Sequence, residues 1–260
     1  LLCIMWISFG VAAHAQHTAD NPKTKHKSIY KAPAIAELLR SLKLTVSEKK
    51  KADISYELSN AYLGKFKIDS ATWYSNYIAG ISKKNRYAAG MGKYHLSYAG
   101  ALFLRNRGQG ALHHLDSATK IFHTLHDNLY LGLSYRLKGR QLGQMNQNIE
   151  AQLSYRLAIS LIERSGDKNY LHRILHDFGR NFYFSYEVDS AAFYLTRALK
   201  MAEEMESAPK IFNTACILGT VLTLAHAGRA QIERGQGVYF YLPKLGAAGE
   251  GGVWKGFLVA

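Results

Sequence analysis

Arg136 and Arg140 stand four residues apart, and Arg173, His176 and Arg180 follow one another at intervals of three and four. Such intervals bring side chains to one face of a helix. A guanidinium fork grips a carboxylate through two parallel hydrogen bonds, so these residues suit the capture of an anion. Other reactive residues offer less. His172 and His176 have a spacing that can hold a metal ion, but no third ligand of clear placement follows. His113, His114, His123 and His126 share no helical phase and read as surface positions. Cys3 and Cys216 are too few and too far apart for a disulfide framework, and Cys216 reads as a buried small thiol. No HExxH, GxSxG or phosphate-loop pattern occurs, so catalysis has no visible seat. The expected activity is binding, by a protein that is not an enzyme and needs no cofactor or metal.

Side chains at helical spacing need helices to carry them. Of the 260 residues, 48% are apolar and 20% charged, a balance that excludes wholesale disorder. Only 4 prolines interrupt the chain, which favours long helices. Ala71, Ala111, Ala151 and Ala191 recur every 40 residues. Four residues beyond each come Ser75, Leu115, Tyr155 and Leu195, and seven beyond come Ile78, Ala118, Ala158 and Ala198. Twelve before each alanine lie Ser59, Ala99, Gly139 and Gly179, with Gly219 continuing the series. Three past those stand Tyr62, Leu102, Leu142, Phe182 and Leu222. The pattern describes a helical hairpin in which a small residue lets the first helix approach the second, with the alanine facing it. Hairpins of this kind bury one face internally and the other against a neighbour.

The pattern resembles the tetratricopeptide repeat family. Gly139, Leu142, Ala151, Tyr155 and Ala158 carry the likeness in one copy, and Gly179, Phe182, Ala191, Leu195 and Ala198 in the next. The family's period is nearer 34 residues, so six extra residues per unit are expected to lengthen the second helix and its linker. Gly166 then stops a helix and Asp167 caps the next. Asp69-Ser70-Ala71 and Asp189-Ser190-Ala191 look like the opening of the second helix in longer copies from exported bacterial sensor proteins. A HEAT-type array is the rival by length, but the small residues sit in the tetratricopeptide places. The resemblance implies an all-α fold, a right-handed superhelical solenoid of antiparallel helix pairs. The register places helices at about 34–43, 48–63, 69–83, 87–105, 109–126, 129–145, 148–165, 169–185, 189–206 and 209–226. The first of these lacks a partner and serves as an N-terminal cap.

In that family the first helices of successive repeats line an inner groove. Groove positions here hold Asp53, Tyr56 and Asn60, then Lys93 and Gly100, then Arg136 and Arg140. Arg173, His176 and Arg180 follow with Tyr183 one turn on, and Asn213 and Thr220 continue the series. Asn60, Lys93, Arg136, Arg140, Arg173, His176, Arg180 and Tyr183 are the candidate ligand-binding residues. They suit an acidic peptide segment, a terminal carboxylate or an anionic polymer. The alternative is that the arginines are solvated or pair with acids on neighbouring helices. The Lys and Asn pattern of the peptide-terminus clamp known in some family members is absent, since Arg140 and Arg180 stand where its asparagines would be.

The ends differ in character. Residues 1–15 are uncharged and close on Ala13-His14-Ala15, the form of a secretory signal with a truncated start. Residues 16–33 form a flexible basic lead-in, 34–227 the array of about four full repeats plus a partial fifth, and 228–260 a glycine-rich tail. The net charge of +14 suggests nucleic acid for a cytosolic protein. For an exported, periplasmic or secreted one it points to an acidic protein or peptide. No later stretch holds ~18 consecutive apolar residues, so no transmembrane span is expected. The sequence from Leu224 to Pro243 is similar to the closing stretch of a histidine-kinase ATP-binding domain. Two readings follow: an exported binding scaffold, serving as the sensory region of a two-component signalling protein, or a truncated sensor kinase.

Overall fold

The computed structural model describes residues 34–233. The expected signal segment, the basic lead-in and the tail beyond residue 233 lie outside the described residues. Within them the chain forms ten helices and no strand. They are α1 (Ile35–Leu44), α2 (Glu48–Gly64), α3 (Ile68–Lys84), α4 (Ala88–Leu104), α5 (Gly108–Thr124), α6 (Asn128–Gln144), α7 (Asn148–Ser165), α8 (Lys168–Phe184), α9 (Val188–Glu204) and α10 (Ala208–Glu233). Each helix packs antiparallel on the next, making a solenoid of helix pairs.

The extra length lies elsewhere than expected. Both helices of a pair have 17 residues, apart from the 18 of α7, so the unit is two equal halves rather than a lengthened second helix. Every half ends on the same turn. Phe66, Arg86, Asn106, His126, Asn146, Gly166, Tyr186 and Glu206, spaced by 20, all have positive φ. At most of these turns the next amide reaches back to a carbonyl five residues earlier, as Lys67 N does to Tyr62 O at 3.0 Å and Glu187 N to Phe182 O at 3.0 Å. That closure satisfies carbonyls the helix end would leave orphaned. Gly166 stops α7 as expected, and Asp167 accepts from Tyr170 N at the start of α8. Ser47 and Asp127 cap α2 and α6 in the same way.

The repeated small residues are the core. Ala71, Ala111, Ala151 and Ala191 are sealed from water, as are Ile78, Ala118, Ala158 and Ala198. The contact at the small residue differs from the expected pairing with alanine. A Cβ on Gly139 would lie 3.0 Å from the Tyr155 ring, and one on Gly179 would lie 2.7 Å from Leu195 Cγ. The residue missing a side chain therefore faces the largest residue of the pattern. In the first repeat hydroxyls replace aliphatic groups: Ser59 Oγ donates to Ala71 O at 3.0 Å, and Ser75 and Ser97 share a hydrogen bond at 2.8 Å. The core forms two clusters, one from Ala52 to Leu133 and one from Tyr155 to Val221. Helix α1 packs on α2 and buries Leu38, in the capping role expected of it.

Helix α10 departs from expectation twice. It runs on to Glu233, through the start of the expected tail. Ala208–Arg229 is also long and apolar enough to cross a membrane by length and composition, which corrects the expectation of no such helix. Counting unbroken apolar runs missed it, because single polar residues such as Asn213, Thr214 and Thr220 interrupt the run without outweighing it. Thr214, Leu218 and Val221 are buried on the array side, while Phe212, Cys216, Gly219 and Leu222 are exposed. Cys216 is thus not the buried thiol expected, since its phase on α10 turns it away from α8 and α9.

Candidate functional site

The first helices of successive repeats touch: α2 meets α4, α4 meets α6, α6 meets α8 and α8 meets α10. The second helices share no comparable contact, so the array curves toward the first helices. On that inner side lies a cleft of about 310 Å³ lined from α2 to α8. Asn60, Arg136, Arg140 and Arg173, four of the expected binding residues, line it, with Tyr56 and Gly100 from the same phase.

Asp177, a residue outside the expected set, organises the arginines. It sits on α8 with its side chain almost wholly buried, and Arg136 Nη2 reaches its Oδ2 at 2.6 Å. Arg140 Nε stands 3.8 Å from the same oxygen, and His176 Nδ1 3.8 Å from Oδ1. Burial alone would push the Asp177 carboxyl up, but Arg136, the His176 hydrogen bond and Arg140 together hold it well below the ordinary carboxylate range. Enclosure lowers the Arg140 guanidinium, and repulsion from Arg136 and Arg180 adds to it. For Arg173 the larger cause is Arg136, followed by enclosure. Both remain cationic near neutral pH. Among the described residues, Arg173 and Arg180 have no carboxylate within ion-pair distance. Glu57 is close enough to feel Arg173, although burial is the main influence on its carboxyl and raises it.

Aromatic rings support these cations. Arg140 lies 4.6 Å from the Phe103 ring centroid, Arg173 5.7 Å from that of Tyr170 and Arg180 5.8 Å from that of Phe184. Stacking fixes a guanidinium plane without consuming its donors.

Lys93, His176, Arg180 and Tyr183 do not line the cleft. Lys93 is buried and donates to Asp53 Oδ1 at 2.6 Å, while Tyr87 donates to the same oxygen at 3.0 Å. Two expected groove positions thus neutralise each other across a repeat. His176 is drawn toward Asp177, and the Tyr183 ring lies tilted beside that of Phe184. Asn213 and Thr220 are exposed on α10, away from the cleft.

Of the histidines expected at the surface, His113, His123 and His126 are exposed, whereas His114 and His172 are not. His114 is half-buried, and its Nδ1 shares a hydrogen bond of 2.9 Å with His95 Nδ1 beside Tyr94 and Tyr98. His172 is buried with Nε2 3.3 Å from Thr214 Oγ1. No cluster of three or more metal-ligating side chains occurs among the described residues.

No family model and no curated protein matches the chain. Solved structures do. A Rap protein complexed with competence and sporulation factor superposes with a TM-score of 0.61 at 16% identity, over 76% of this chain and 62% of that one. A signal transduction ATPase with numerous domains and a tetratricopeptide repeat sensor, from Pyrococcus horikoshii, gives 0.57 at 16% over 76% of this chain. Only 32% of that longer protein is covered, so this chain spans about a third of its length. The apo form of RapI gives 0.53 at 16% over 80% of this chain and 83% of its own. These likenesses show the fold alone, an all-α solenoid of helix pairs like that of tetratricopeptide-repeat proteins.

Proposed function

We propose that this protein is an exported, non-catalytic scaffold that binds an extended acidic peptide in its inner cleft and acts as the sensory region of a signalling protein. One observation carries the binding part. Three guanidinium groups, Arg136 and Arg140 on α6 and Arg173 on α8, line the cleft, and a single buried carboxylate, Asp177, lies within ion-pair distance of two of them. Surplus cations held in a concave wall raise the local concentration of anions and bind carboxylates through charge-assisted hydrogen bonds. A neighbour of the same fold is complexed with competence and sporulation factor and another carries a tetratricopeptide repeat sensor, which supports the sensory reading. Ligand binding across α2 to α8 would alter the curvature of the stack and so report to an attached element. Export rests on the uncharged first fifteen residues and the Ala13-His14-Ala15 site.

Charge reversal at Arg140 and Arg173 tests the reading. The double variant R140E/R173E should bind a fluorescein-labelled peptide rich in Glu and Asp at least about a hundredfold more weakly, because two guanidinium–carboxylate hydrogen-bonding partners become repulsive. Its helical circular dichroism should match the parent. Unchanged affinity in fluorescence anisotropy would overturn the charge argument.

A further inference from the structure

Apolar side chains share the lining of the cleft with the arginines: Leu63, Leu96, Phe103, Leu133 and Leu137 contribute to its walls. A solvated anion site has no use for such walls. The opening has a specific origin in the repeat register. Position 100 carries no side chain, whereas the equivalent positions one and two repeats later are Arg140 and Arg180. A Cβ at Gly100 would lie 2.8 Å from Leu63 Cδ1, so even the smallest side chain would crowd the wall.

Two polar groups in this lining lack partners. Gln141 is 2% exposed and its Oε1 accepts no hydrogen bond. Arg136 is 6% exposed, and its Nε donates none although Nη2 is paired with Asp177. A buried polar atom without a partner is costly, and in native proteins such atoms commonly await a ligand or a water. Both atoms are sealed from the open cleft, so the polar contacts it offers a ligand come from groups such as Asn60, Arg140 and Arg173.

We propose that this cavity selects one bulky apolar residue of the bound peptide, set next to a carboxylate. The inference rests on the acidic-peptide reading of the cleft and adds the side-chain chemistry it accepts. The carboxylate, on Arg140 and Arg173, comes either from a chain terminus or from an Asp or Glu side chain. A volume of about 310 Å³ sits at the low end for ligand sites and suits one large residue with its neighbour.

The test uses four labelled peptides on the full chain in fluorescence anisotropy. The first is fluorescein-Ser-Gly-Glu-Asp-Leu with a free terminus. In the second Ala replaces Leu, the third is the first with an amidated terminus, and the fourth replaces Glu and Asp by Gln and Asn. Leu should bind about fiftyfold more tightly than Ala, the ratio expected for fully burying the three extra carbons. In Gly100→Leu the added side chain fills the cavity and displaces the flexible tip of Leu63, and the affinity ratio between the Leu and Ala peptides should fall to about one. Loss of affinity on amidation assigns the carboxylate to the terminus, and loss only in the fourth peptide assigns it to the acidic side chains. Equal binding of Leu and Ala by the parent chain, or a preference that survives Gly100→Leu, would overturn the pocket while leaving the acidic cleft standing. Failure of all four peptides to bind would overturn the cleft reading itself.

Discussion

His95 and His114 show how a repeat protein hides a titratable pair. They come from the two helices of one hairpin, α4 and α5, and meet through their Nδ1 atoms with Tyr94, Tyr98 and His113 around them. Burial first, then repulsion from His114 and His113, draws the His95 imidazole down to about 4, and His114 is lowered for like reasons. Both rings stay neutral in the folded protein at pH values where the unfolded chain takes up protons. The folded state thus binds fewer protons, and its stability is complete above about pH 6.5 and falls as pH drops toward about 4. His172, held near 4 by burial and then Lys210, acts in the same direction. The urea midpoint should therefore decrease between pH 7.5 and 5, and the decrease should be smaller in His95→Gln. An identical decrease in parent and variant would show that the pair has no part in it. This pairing was not legible in the sequence, because His95 lies 19 residues from His114 and belongs to no repeated position. Asp177 and Gln141 escaped for a related reason: their partners lie across a repeat or are missing, which no local spacing reveals. Asn60, Arg136, Arg140 and Arg173 were legible because groove phase follows directly from the small-residue register.

At the level of elements, the same register placed nine of the helices to within two residues, since small side chains must recur where helices cross. Its limit was the turn. Most positions of positive φ carry Phe, Arg, Tyr, His, Asn or Glu rather than glycine, so the usual sign of a helix stop is missing. The close approach at the crossing yields a prediction of sign. At Gly179 an added methyl would meet both Leu195 Cγ and the Leu195 backbone N at 3.2 Å, and neither is the loose end of a side chain. Gly179→Ala should destabilise by about 1–3 kcal/mol despite the better helix propensity. Gly80, with nothing within 4 Å, is the contrast: Gly80→Ala should stabilise by about 0.5–1 kcal/mol. Thermal unfolding of the two variants checks both signs.

For the whole molecule, the cleft lies where the two cores meet. Tyr135 on α6 and Tyr170 on α8 pack against both clusters, and the Arg136–Asp177 pair ties the same two helices together. A buried pair contributes little compared with an apolar substitute, but removing one partner strands the other charge. Asp177→Asn should cost about 3–5 kcal/mol, seen as faster amide exchange in α6 and α8 and a lower denaturation midpoint. A midpoint within experimental error of the parent would mean that solvent already screens Arg136.

The same positive-φ turn recurs every 20 residues and closes both halves of a repeat identically. Nothing in these turns therefore distinguishes an inward-facing rod from an outward-facing one. Only side chains keep that distinction. Loss or duplication of a single half would leave every hinge geometrically intact yet exchange the two surfaces of all downstream units, turning the arginines outward and the exposed Trp73, Leu153 and Phe193 toward the hollow. The lineage of such a chain can grow or shrink only in steps of forty.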